Sequence, residues 1–231
     1  MSKNTENTSK NKFDLGTVYI KAEDYINKNK KTLTYAIAGI AVVVGGILYY
    51  NFGIMAPKNR QAAEEMFKAE YYFGLDSFQV ALDGKPGQFP GFLEIIDEYK
   101  GTKSANLAKY YTGVSYLHLG KFEEAIEHLK GFKTNDEFLQ PISIGAIGDA
   151  YRELGNSKEA ASYYEKAANV KKNDLTTPLY LKKAAQVFEV ELAQPKKALE
   201  LYKRIQHEYY NTAEGREIDK NVTKLEAMLA E

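Results

Sequence analysis

The sequence has no cysteine and no tryptophan. The first absence excludes a disulfide framework, a thiol nucleophile, a cysteine-ligated metal and a lipid-modified Cys. It leaves the redox compartment open, because a chain without Cys suits either. A net charge is missing too: Lys+Arg and Asp+Glu are both 31 in 231 residues. That balance gives no basic footprint and argues against nucleic-acid binding. Of the three histidines, His118, His128 and His207, none has a second His at i+3 or i+4, and no H-E-x-x-H occurs. A metal site has no local support. The phosphate-loop, dinucleotide and nucleophile-elbow patterns are absent as well. The acidic pairs Asp97-Glu98 and Glu123-Glu124 lie on amphipathic segments and read as solvated faces. The expectation is a protein that is not an enzyme, with no cofactor and no small-molecule substrate.

One segment lacks charge of any kind. From Thr32 to Pro57 there is no Lys, Arg, Asp, Glu or His, and the centre reads AIAGIAVVVGGIL. As a helix these 26 residues cover about 39 Å, against a hydrocarbon thickness of about 30 Å. Tyr35 at one end and Tyr49, Tyr50 and Phe52 at the other fall where the two interfaces would lie. A buried soluble helix would keep a polar face, and a cleaved signal would be shorter with less chain before it. The reading is a single retained transmembrane helix over 32–57. Lys28, Lys30 and Lys31 crowd its N-terminal flank, whereas Lys58 and Arg60 are followed at once by Glu64 and Glu65. Basic flanks stay cytoplasmic. Residues 1–31 are therefore expected inside and residues 58–231 outside, which in a bacterium is the periplasm. Within the tail, Val18, Ala22, Tyr25 and Ile26 share one helical face, which suits a short interfacial helix and equally an ordinary hydrophilic tail with a few apolar residues. Within the span, Ala38, Ala41 and Gly45 form a small-residue side that would admit another membrane helix.

After Pro57 the pattern becomes amphipathic helices with short breaks and no strand signal. GVSYLHLGKFEEAIEHLKGF and GDAYRELGNSKEAASYYEKA superimpose, with Gly113 on Gly148, Tyr116 on Tyr151, Gly120 on Gly155 and Ala125 on Ala160, each pair 35 residues apart. Gly120 and Gly155 fit the left-handed position that ends a helix. Pro90, Pro178 and Pro195 fit first helical turns, with Thr177 placed to cap before Pro178. A helix, a Gly turn and a second helix at this period resemble the tetratricopeptide repeat. The first unit carries Gly113, Tyr116, Gly120, Ala125 and Leu129. The second carries Gly148, Tyr151, Gly155, Ala160, Tyr164 and Ala167. A third is readable at Ala185, Phe188, Ala198 and Tyr202, with a few residues inserted near Ala193. One hairpin cannot bury its apolar face alone, so stacked units form a solenoid. The fold class is all-α: the membrane helix, then hairpins at about 60–99, 104–132, 137–170 and 177–208, then a capping helix at 213–230. The cap has Ile218, Val222, Leu225 and Leu229 on one face. The degenerate first hairpin has one helix carrying Ala62 to Ala81 and a second reading GFLEIIDEYKG.

A lysine-flanked tail, one membrane helix and a compact repeat array together resemble the YfgM-like group of bacterial membrane-anchored tetratricopeptide proteins. GFLEIIDEYKGTKSANLAKYYTG and IGDAYRELG are similar to forms in Bacteroidota members. The resemblance implies an inner-membrane accessory to the Sec translocon. Its partners would be translocon subunits, periplasmic chaperones or nascent secreted chains. A general envelope scaffold for division or outer-membrane assembly is the alternative.

The family's groove positions, carried onto this sequence, are Leu107, Tyr110, Val114, Leu117 and His118 in one unit. Ile142, Asp149, Arg152 and Glu153 follow in the next, and Lys182, Gln186 and Glu189 in the third. Such a mixed surface could hold a peptide or a helix of another protein. Tyr110 and Val114 stand where a Lys/Asn pair gripping a terminal carboxylate would sit, so that grip is not supported.

Overall fold

The structure is a computed structural model and describes residues 15–230. Residues 1–14 of the expected cytoplasmic tail lie outside the described residues. The chain divides into two compact units, ending and beginning at Ala56 and Pro57.

The first unit is helical. Helix α1 (Leu15–Lys28) and helix α2 (Lys30–Leu48) are followed by a π-helical stretch, Tyr49–Met55. No residue of α2 or of that stretch is buried. Its Ile, Val and aromatic side chains all face outward, which only an apolar surrounding stabilises. Among the described residues, one helix is long and apolar enough to cross a membrane. Thr34 donates its hydroxyl to the Lys30 carbonyl at 2.8 Å. Its polar atom is thus used within the helix. On α1, Tyr25 and Ile26 of the expected apolar face are exposed, as are Tyr19 and Ile20. The side chain of Val18 lies outside the described residues.

The second unit is an all-α solenoid of stacked hairpins. Its helices are α3 (Ala56–Gly74), α4 (Phe78–Asp83), α5 (Phe92–Glu98), α6 (Lys103–His118) and α7 (Phe122–Gly131). They continue with α8 (Leu139–Glu153), α9 (Ser157–Val170), α10 (Thr176–Gln186), α11 (Pro195–Glu208), α12 (Ala213–Glu217) and α13 (Asp219–Ala230). From α5 to α11 each packs mainly on its neighbours in sequence, and α13 returns to α11. Ala62, Met66, Phe92, Ile95 and Ala108 form a first core layer. Ile126, Leu129, Ile147 and Ala150 form a second. The largest runs from Ala160 on α9 to Leu225 on α13 and takes in the fully buried Tyr164 and Tyr202. Ile218, Val222 and Leu225 of the C-terminal face are buried there.

Several local expectations are corrected. The helix expected from Ala62 to Ala81 is two helices, because Asp76 takes a left-handed φ of 54° between them. The strand-free reading gives way to a two-residue antiparallel ladder in the GKPGQFPG loop, Gly84–Lys85 (β1) against Phe89–Pro90 (β2), with Lys85 facing Phe89. There Gly84, with φ 70°, and Gly91 approach so closely that a Cβ on either would enter the other's backbone. Pro90 ends β2 instead of starting a helix. Thr177 does not cap α10. Asn173 lies just ahead of that helix, its Oδ1 accepting from the N–H of Thr176 at 2.7 Å and of Leu175 at 2.9 Å. The buried Thr177 hydroxyl instead accepts from the Asn173 N–H.

The insertion in the third unit is a single residue, and it sits inside a helix. Gly113 to Ala125 and Gly148 to Ala160 are both 12 residues, while Ala185 to Ala198 is 13. In the first two units the Lys121 and Asn156 N–H groups close the helix end on the carbonyls of Tyr116 and Tyr151, five residues back. In the third, the Gln194 N–H reaches the Phe188 carbonyl, six residues back, at 2.7 Å. The extra residue is taken up by a π-helical stretch, Val187–Glu191. The turn positions are left-handed in all three: Gly120 at 72°, Gly155 at 74° and Ala193 at 50°.

Candidate protein-interaction surface

Helices α6, α8 and α10 are the first helices of three successive hairpins. Their spacing is set by small residues. A Cβ on Gly148 would meet the Tyr164 ring at 2.8 Å, and one on Gly113 would meet the Leu129 side chain. A Cβ on Gly145 would overlap the Tyr180 ring of the next unit. Ala125, Ala160, Ala167 and Ala198 are fully buried between helices. Close approach of this kind lets the aromatic side chains of one hairpin fill space against the next.

The first-helix residues expected to line a groove fall into two sets. Leu107 packs against the first core layer, and Tyr110, Val114 and Leu117 against the second, each only partly exposed. His118 is exposed but lies flat on Phe78, ring centroids 4.3 Å apart at 7°. Glu153 is exposed and Ile142 and Gln186 are half-buried.

The charged members are engaged between repeats. Asp149 Oδ1 accepts from Lys183 Nζ at 2.7 Å and from the Tyr164 hydroxyl at 2.6 Å. Arg152 Nε donates to Glu191 at 2.7 Å, and the other Glu191 oxygen takes the Ser157 hydroxyl at 2.6 Å. Lys182 lies 3.4 Å from Glu217. Glu189 accepts from Lys224 at 2.7 Å and from the Tyr202 hydroxyl at 2.9 Å. Burial, then the bond to Asp149, pushes the Tyr164 phenol up. Burial opposes ionisation of Glu191, but the Ser157 and Arg152 bonds outweigh it and hold its carboxyl below the ordinary range. The bond to Glu191 in turn holds the Arg152 guanidinium in its charged form.

Three of these pairs join residues 34 or 35 apart: Asp149 with Lys183, Lys182 with Glu217, and Glu189 with Lys224. Sequence reasoning named Asp149, Lys182 and Glu189 but missed Lys183, Glu217 and Lys224. Opposite charges at the repeat period would have found them.

Models of the tetratricopeptide repeat match residues 107–136 and 143–174. The chain carries two tetratricopeptide repeats. They cover α6–α7 and α8–α9, and they make this part of the chain a protein–protein interaction module. No curated protein and no solved structure gives a match. No group of three or more His, Cys, Asp or Glu side chains is arranged to hold a metal ion among the described residues.

Proposed function

We propose that this protein is a single-pass inner-membrane protein of the YfgM-like, Bacteroidota type, with a non-enzymatic repeat domain in the periplasm serving the Sec translocon and its chaperones. In this reading residues 1–31 are the cytoplasmic tail, 32–57 the membrane helix and 58–231 the repeat domain. The observation that carries it is the pairing of a charge-free apolar segment, none of whose residues is buried, with tetratricopeptide repeats downstream. Lys28, Lys30 and Lys31 before the span support the cytoplasmic tail. The half-exposed row of Leu107, Tyr110, Val114 and Gln186 supports a groove with aliphatic and aromatic anchors for a partner chain. Asp149, Arg152 and Lys182 would order that groove more than contact the partner, since each already has an ion-pair partner. Ala38, Ala41 and Gly45 are the residues a neighbouring membrane helix would meet. Beyond its own helix backbone, no described residue comes within 4 Å of a Cβ on Gly45.

Purification of the full chain from native membranes in mild detergent, with bound proteins identified by mass spectrometry, tests this reading. Translocon subunits or periplasmic folding factors in near-equal amount are expected. Replacing residues 32–57 by an unrelated span should abolish their recovery if the span docks on the translocon. Recovery of division or outer-membrane assembly proteins alone would replace this role with that of a general envelope scaffold.

A further inference from the structure

A cleft between α7, α8 and α9 is lined by several lysines. It encloses about 250 Å³ and is lined by Lys130, Lys133 and Lys166 but by no Asp or Glu. The chain as a whole is electrically balanced, so a three-lysine cleft with no carboxylate is a local excess. None of the three lysines has an ion-pair partner among the described residues. Lys130 donates to the Tyr151 hydroxyl at 2.9 Å, and both Lys130 and Lys166 lie over the face of Tyr163, at 5.8 and 5.7 Å. The tyrosines thus hold two of the ammonium groups in place without neutralising them.

The cleft is not the groove. On α8 it uses Gln140, Ser143, Ile144 and Ile147. At 100° per residue these lie on the side of the helix opposite Ile142, Asp149, Arg152 and Glu153. Its floor is made by the aliphatic Ile144 and Ile147.

We propose that this cleft is a second docking site, on the back of the repeats, for a short acidic segment of a partner protein. The proposal rests on the reading of the chain as a protein-interaction module. A side-chain carboxylate answers the lysines, and an adjacent apolar side chain answers the isoleucines. Inorganic phosphate or a lipid headgroup would satisfy the lysines but carries no apolar group beside its charge to meet the isoleucines.

The test uses the full chain in detergent and a library of hexapeptides, acetylated and amidated at their ends so that no terminal carboxylate contributes. Bound peptides are expected to be enriched in Asp and Glu next to Leu, Ile or Phe. The variant Lys133→Glu/Lys166→Glu, which leaves Lys130 and its tyrosine bond intact, should lose that enrichment. It should also raise the Kd of the best peptide about tenfold or more, with the wild-type affinity falling as salt rises. An unchanged thermal midpoint verifies the variant's fold. No acidic enrichment, or the same enrichment in the variant, overturns the proposal. Displacement of the peptide by equimolar inorganic phosphate or by phosphatidylglycerol vesicles also overturns it, since the cleft would then be a simple anion site. The membrane purification separates this failure from a deeper one. If wild type and variant recover the same partners in equal amount, the cleft is not a docking site but the module reading stands. If the wild type recovers none, the module reading itself fails.

Discussion

Lys183 and Asp149 stand 34 positions apart in sequence and 2.7 Å apart in space, and the oxygen that joins them also accepts the Tyr164 hydroxyl at 2.6 Å. One carboxylate therefore ties together the first helix of one hairpin, its second helix and the first helix of the next. The two charged side chains are each about one-third exposed, 31% and 33%. Solvent screening limits what their attraction contributes, whereas the Tyr164 side chain is fully buried.

The larger effect is expected at the phenol. Asp149→Ala should destabilise the fold by about 1–2 kcal/mol, because it leaves the buried Tyr164 hydroxyl without its acceptor. Lys183→Met should cost under about 1 kcal/mol. Urea unfolding of the full chain in detergent, followed by tyrosine fluorescence, measures both. A Lys183 effect as large as the Asp149 effect would contradict the assignment.

The interface glycines are expected to differ in tolerance. A Cβ on Gly145 falls inside the rigid Tyr180 ring, so Gly145→Ala should cost about 1–3 kcal/mol. The double variant with Tyr180→Leu should recover part of that loss. At Gly113 the obstacles are the Leu129 Cγ at 2.5 Å and the Ala125 carbonyl at 3.1 Å, both farther than the Tyr180 ring is from Gly145, and Gly113→Ala should cost less. Gly120 and Gly155 have open space around them but φ of 72° and 74°. Replacing either by Ala should cost about 1–2 kcal/mol, from the backbone alone. Thermal unfolding midpoints rank the four.

Acid should weaken the fold through His128. Burial lowers the pKa of this half-buried imidazole below its ordinary 6.5, despite the opposing pull of Glu127. The unfolded chain then takes up the proton first as pH falls. The stability His128 contributes is full above about pH 6.5 and is lost as pH drops through the folded value. At the other extreme, burial and then the Glu65 contact push the Tyr99 phenol up to about 12. Its contribution holds below about pH 10 and declines from there to about 12. His128→Gln should remove the first dependence and Tyr99→Phe the second. Unfolding free energy measured between pH 5 and 8, and between 9 and 12, shows each.

Val43→Arg places a charge at the middle of the apolar helix. It should disfavour membrane insertion by about 2.5–3.5 kcal/mol. Carbonate extraction should release the variant and leave the wild type in the pellet. Equal retention would show that this helix does not hold the protein in the membrane.

The parts of the fold that were legible in sequence are those that small residues enforce. Gly113, Gly148 and the buried alanines recur because two helices cannot approach closely around anything larger. The break between α3 and α4 was not legible. Phe73, Phe78 and Ala81 continue the apolar pattern across it, and the chain turns at Asp76, a residue that takes a left-handed φ only occasionally. The short ladder in GKPGQFPG is equally silent, since two residues cannot show an alternation. At the interaction surface, residue types were readable but their engagement was not. Asp149, Arg152, Lys182 and Glu189 look like free groove charges until the folded chain brings Lys183, Glu191, Glu217 and Lys224 to them. The lysine cleft was invisible for a similar reason, as its members come from three helices and a turn.

The π-helical stretch at Val187–Glu191 has a bearing on how such arrays can be recognised across distant relatives. A residue added there lengthens the chain without shifting the next hairpin, because the helix absorbs it and Gln194 still closes the end on Phe188. Evolutionary length change is thus hidden in the middle of a helix, where alignments rarely place a gap. A profile that counts on a constant interval falls out of phase by one at this point. The two matched segments both end before it, at residues 136 and 174. Counting with one extra position in the first helix should bring further degenerate hairpins of this kind into view.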